Sequence, residues 1–107
     1  MILSTTQAVA GKTVVRTIGV VKGNTIRARH IGKDITALLK NVFGGEIEEY
    51  TKLLAESREQ ALDRMIKQAE DLGANAAVEV RFSTSAIMGG AAEIMVYGTA
   101  VVVEDER

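Results

Sequence analysis

Hydrophobic and polar positions alternate at the start of this chain, recur at helical spacing through its middle, and alternate again to its end. From Thr13 to Val21, Val14, Arg16, Ile18 and Val20 fall on one face and Val15, Thr17, Gly19 and Val21 on the other, a strand with weakly distinguished sides. Before it, Met1 to Lys12 has a β-tolerant start (Ile2, Leu3, Thr5, Thr6) and a turn near Gly11. Lys22-Gly23-Asn24-Thr25 has turn chemistry, because Gly and Asn accept positive φ. A short return strand from Thr25 to Arg29 is therefore predicted to complete a hairpin. Two helices follow. Asp34 can cap the first, with Ile35, Leu38, Leu39, Val42 and Phe43 at helical spacing and Gly44-Gly45 as its end.

The second helix is predicted from Glu46 to Leu72. Its acidic first turn (Glu46, Glu48, Glu49) suits the positive end of the helix dipole. Leu54, Ala61, Leu62, Met65, Ile66, Ala69 and Leu72 form its apolar stripe, Asp63 and Lys67 can pair one turn apart, and Gly73 with Asn75 signals the stop. Ala76 to Ser83 alternates as a strand, Val78, Val80 and Phe82 against Glu79, Arg81 and Ser83. After a loop from Ile87 to Ala91, the last strand runs from Glu93 to Glu104. It is apolar on both faces, with Ile94, Val96, Ala100 and Val102 on one and Met95, Tyr97, Val101 and Val103 on the other.

The predicted order is thus strand, short strand, helix, helix, strand, strand. This is an α+β domain with two helices, one of them long, on one face of a largely antiparallel sheet. A strand apolar on both faces wants cover on both, and one layer of helix supplies only one. Assembly with other copies of the chain is the simplest solution, so a homo-oligomer is expected.

Composition narrows the functional classes. The 107 residues suit one domain over 1–107, and the 13 basic and 14 acidic residues give a net charge of −1. No nucleic-acid partner is expected of that balance, nor of two Phe and two Tyr available for stacking. The absence of cysteine removes disulfides, thiolate metal sites and thiol nucleophiles together. The uncharged stretch from Ile94 to Val103 is far shorter than the ~18 residues of a membrane span. Met1 is not followed by a signal-peptide pattern, so a cytoplasmic location is expected.

Complete catalytic motifs are lacking. Gly11-Lys12-Thr13 matches the tail of a phosphate-binding loop, but Thr6 stands where the motif needs glycine and Thr13 opens a strand. Gly89-Gly90 could cradle an anion through its amides, and a plain hairpin loop explains it better. His30 is the single histidine, which rules out a triad within one subunit. It is the candidate metal ligand, repeated by symmetry if subunits converge. Glu46, Glu48 and Glu49 could hold a hard cation, although their place in the first helical turn explains them already. Arg58, mid-helix, and Arg81, on a strand between Glu79 and Ser83, could hold an anion or pair across an interface. Met65 and Met95 are explained by packing, without soft-metal binding.

Several ordered blocks carry a resemblance over nearly the whole chain, from Ser4-Thr5-Thr6 onward. They are the run from Gly44 to Leu54, Ala61-Leu62-Asp63-Arg64-Met65, Leu72-Gly73-Ala74-Asn75-Ala76, the run from Val80 to Ser85, and Tyr97-Gly98-Thr99-Ala100-Val101. In that order they resemble the YbjQ family of small bacterial and archaeal proteins, which bears a heavy-metal-binding label without an established biochemical function. The resemblance implies an α+β subunit assembled into a ring-shaped homopentamer. On the matching blocks it directs attention to Arg81, Thr84 and Tyr97 as binding residues, with Arg58 from the long helix and His30 from the hairpin junction.

The leading reading is a homo-oligomeric binding or scaffold protein, a pentamer by the resemblance, that holds a small anion, metabolite or metal between subunits. The alternative is an enzyme whose site is shared by two subunits, with His30, Glu46 or Arg81 contributing. The lack of a complete catalytic motif weighs against it. A metal ion is the one cofactor this reading allows for, and neither membrane nor nucleic acid is an expected partner.

Overall fold

Two elements of a sheet protein compete for every β-branched residue, the neighbouring strand and the covering helix, and here one long strand serves both. The structure, a computed structural model, describes residues 1–27, 45–87 and 91–107. Its elements are β1 (Ile2–Leu3), β2 (Lys12–Arg27), α1 (Gly45–Asp71), β3 (Ala76–Ile87) and β4 (Ala91–Asp105). The sheet order is β1-β3-β4-β2, with β1 parallel to β3 and the other pairs antiparallel. The fold is α+β, and the sheet is largely antiparallel as expected, made mixed by the short parallel β1–β3 pair. The first predicted helix, from Asp34 to Phe43, lies outside the described residues, as do His30 and Gly89-Gly90. Among the described residues there is one helix, α1.

The predicted hairpin at Lys22-Gly23-Asn24-Thr25 does not form. β2 continues through these residues and pairs with β4, Gly23 opposite Val96 and Thr25 opposite Ile94. Gly23 is there for close approach. A Cβ on it would lie 2.1 Å from the Ala61 carbonyl oxygen and 2.4 Å from the Met65 amide nitrogen, so only glycine lets α1 rest on the strand. Beside this contact Thr25 Oγ1 donates to the Ser57 carbonyl at 3.2 Å, and Ser57 Oγ donates to the Leu53 carbonyl at 2.9 Å. Ser57 is fully buried at the centre of the helix's inward face, a polar position that hydrophobic periodicity passes over.

The predicted stripe on α1 otherwise holds. Ala61, Met65 and Ala69 are fully buried, and with Val21, Val80, Ile94, Val96 and Ala100 they make the main core. Leu72 is the exception. It lies past the last helical turn and is exposed, where Gly73 at φ +89° and the bonds Gly73 N to Glu70 O and Ala74 N to Ala69 O close the helix. The expected Asp63–Lys67 pair is replaced by Lys67–Asp71 at 3.5 Å. Strict alternation also fails on β2, because irregularities between Val14 and Arg16 and between Thr17 and Gly19 insert extra residues. Val21 and Ile18, predicted on opposite faces, consequently both meet the main core.

The second sheet face, expected to have no partner within the chain, is partly covered. Ile2 and Val9 from the N-terminal segment pack on a small core of Ala76, Val78, Val101 and Val103. This segment continues the line of β1 along β3. Ser4 N donates to the Ala77 carbonyl, and the Ser4 and Thr6 carbonyls accept from Val80 N and Glu79 N, each at 3.0 Å. Beyond it the sheet runs on uncovered among the described residues. The molecule is elongated, 60 × 25 × 18 Å, with a radius of gyration of 17.6 Å.

Candidate functional site

Side chains on neighbouring strands of a sheet form rows, and the rows on the face away from α1 hold the unexplained chemistry. On β4, Ile94, Val96 and Ala100 turn to the helix, so Met95, Tyr97 and Thr99 project from the opposite face. Register then sets their neighbours. Tyr97 stands between Arg81 of β3 and Lys22 of β2, and Met95 stands between Ser83 and Asn24. An irregularity in β3 between Val78 and Arg81 makes this possible. Glu79 at φ +54° is the strained residue of that bulge, held by its bond to the Thr6 carbonyl. The extra residue lets Val80 stay in the main core while Arg81 turns to the open face.

Arg81 marks the end of the covered part of this face. Its Nη1 donates to the Thr5 carbonyl at 2.8 Å and to its neighbour Val80's carbonyl at 3.0 Å, tying the N-terminal segment to β3. Ser4 and Thr6 join their hydroxyls beneath that contact, and Thr6 Oγ1 reaches the Ala8 carbonyl at 2.6 Å. Tyr97 is 39% exposed. Asn24 Nδ2 donates to Glu93 Oε2, the carboxylate nearest along β4, at 3.0 Å.

The candidates from sequence therefore separate. Arg81 and Tyr97 are cross-strand partners. Thr84 pairs with Ile94 and so lies on the helix face of β3, while Arg58 is exposed on α1, on the far side of the sheet from Arg81. His30 and the side chains of Glu46, Glu48 and Glu49 lie outside the described residues. Lys22 and Asn24 were missed. Reading Lys22-Gly23-Asn24-Thr25 as a continuing strand would have put both on the face of Tyr97.

The edges differ as well. Along β2, Gln68 Oε1 accepts from Lys22 N at 2.8 Å and Arg64 Nη1 donates to the Asn24 carbonyl at 2.6 Å, so helix side chains close that edge. At the far end of the sheet Lys12 bonds Asp105, which lowers the Asp105 pKa chiefly through that hydrogen bond and further through the lysine's charge. Among the described residues no group of three or more His, Asp or Glu side chains is placed to hold a metal ion, and the chain has no cysteine. Nor is any helix among them long and apolar enough to cross a membrane.

A family model described as "Putative heavy-metal-binding" matches residues 1–104. A UPF0145 protein from Dehalococcoides mccartyi is 60% identical over 104 residues, covering 97% of this chain and 100% of its own. One from Archaeoglobus fulgidus is 58% identical over 101 residues, covering 94% of each chain. Among solved structures, a protein with unknown function from Pediococcus pentosaceus superposes with a TM-score of 0.64 at 16% identity, covering 97% of this chain and 98% of that one. That likeness establishes shared fold alone.

Proposed function

The chain belongs to the YbjQ family described as "Putative heavy-metal-binding", and from that premise we propose that it works as a homo-oligomeric, small-ligand-binding scaffold. The family resemblance supports a pentamer as that assembly. One observation carries the reading: among the described residues nothing covers the face of the sheet opposite α1 past the N-terminal segment, with Val20 76%, Ile26 59% and Tyr97 39% exposed. A chain of this size leaves such a surface open where a partner or ligand takes it. The donors in that region are cationic, aromatic and hydroxyl groups, which favours a small organic or anionic ligand over the soft metal of the family description.

Native mass spectrometry of untagged protein purified without chelators tests the assembly. The expected result is a multiple of the 11.5 kDa chain mass, five subunits by the resemblance, carrying additional bound mass. A bare monomer at every concentration overturns it.

A further inference from the structure

We propose that the Arg81–Tyr97–Lys22 row binds a small phosphorylated ligand with a flat ring, the chemical class of a nucleoside monophosphate. The proposal rests on the reading of the open face as a ligand surface, but not on the number of subunits. Neighbouring strands lie about 4.8 Å apart, so the register that aligns Arg81, Tyr97 and Lys22 puts one cation on each side of the aromatic ring. A phosphate on either cation brings an attached ring over Tyr97.

Charge supports this assignment. Among the described residues the ion pairs are Lys12–Asp105 and Lys67–Asp71, so Arg81 and Lys22 have no carboxylate there. Glu93 keeps its charge, but it stands four residues along β4 from Tyr97, about 13 Å away, and bonds Asn24. Glu79, two residues before Arg81, forms no ion pair with either cation. Arg81 is also positioned in advance. Both of its bonds, to the Thr5 and Val80 carbonyls, come from Nη1, and its remaining donors are left to meet an anion. A fixed guanidinium loses less freedom on binding than a free one.

The remaining surface sets the size of the ligand. Among the described residues Tyr97 is the only aromatic one in these rows, flanked by Ser83, Met95 and Thr99. One ring suits one base, whereas a single-stranded nucleic acid wants a succession of stacking residues and a clearly basic surface. The net charge of −1 does not provide that surface.

Calorimetric titration of the full chain with AMP, adenosine and inorganic phosphate tests the site. AMP is expected to bind about tenfold or more tightly than either fragment, because it alone engages both a cation and the ring. Lys22→Gln is expected to weaken AMP about tenfold, as loss of one charge-assisted contact does. The Lys22 side chain is exposed and makes no hydrogen bond or ion pair among the described residues, and its main-chain bond to Gln68 survives the change. Tyr97→Ser is expected to abolish the preference for AMP over phosphate. Absence of AMP binding by protein whose native mass is that of the intact assembly overturns the proposal, as does AMP affinity unchanged in both variants. A monomer that binds AMP and loses it in Lys22→Gln supports the site and overturns the assembly instead.

Discussion

The two faces of one sheet are closed by opposite means. On the helix face, α1 sits so low on β2 that backbone meets backbone, with Gly23 beneath Ala61 and Met65. On the other face, among the described residues, one N-terminal segment held by main-chain bonds and Arg81 covers the part next to Val78 and Val101. The first arrangement has no slack, because a missing Cβ is what creates it. The second is a strap that can be loosened without disturbing the core. The contrast shows where this chain concentrates its stability and where, among the described residues, it leaves surface open.

The contrast breaks most directly at Gly23. Gly23→Ala is expected to cost about 3 kcal/mol or more, the upper end of overpacking, because the obstructing atoms belong to the helix backbone and cannot rotate away. Urea denaturation measures it, and a loss below about 1 kcal/mol would show that α1 can ride away from β2. Arg81→Met should act on the other face alone. A loss of about 1 kcal/mol is expected, together with faster hydrogen exchange at the Glu79 and Val80 amides, whose acceptors are the Thr6 and Ser4 carbonyls. Unchanged exchange at those two amides would mean that the strap holds without its arginine.

Tyr97→Ser sharpens the comparison from the exposed side. Its effect on the stability of the isolated subunit is expected to stay within about 0.5 kcal/mol, as for a surface residue. A cost like that of Gly23→Ala would mean that the open face is packed. The smallest effect belongs to Asp105. Its pKa is lowered in the folded chain by Lys12, so its contribution is complete above the ordinary carboxylate range and disappears as pH falls through the lowered folded value. Asp105→Asn is expected to flatten that stretch of an acid denaturation curve, and an identical curve would leave the Lys12 contact without energetic weight.

Elements long enough to show a period were legible in the sequence. The long helix, predicted from Glu46 to Leu72, runs from Gly45 to Asp71, and the last strand, predicted from Glu93 to Glu104, runs from Ala91 to Asp105. Gly73 ends the helix as its residue type suggests. Gly23 misled for a physical reason. Glycine serves a turn by accepting positive φ and serves a strand by removing a Cβ, and local sequence does not tell the two uses apart. Only the position of Ala61 and Met65, far along the chain, decides it. The same mistake hid the site. With a turn at Lys22, Arg81 and Tyr97 were legible as separate candidates, and their alignment with Lys22 depends on a long-range register and on the bulge at Glu79.

The length of the body has a hydrodynamic consequence. A compact domain of this size has a radius of gyration of about 13 Å, and this one has 17.6 Å spread along a 60 Å axis. Such a rod experiences more drag than a sphere of equal mass, so it diffuses slowly and leaves a sizing column ahead of globular standards. Calibrated gel filtration thus over-reads the mass of a single subunit, and sedimentation equilibrium, which is blind to shape, counts the copies correctly.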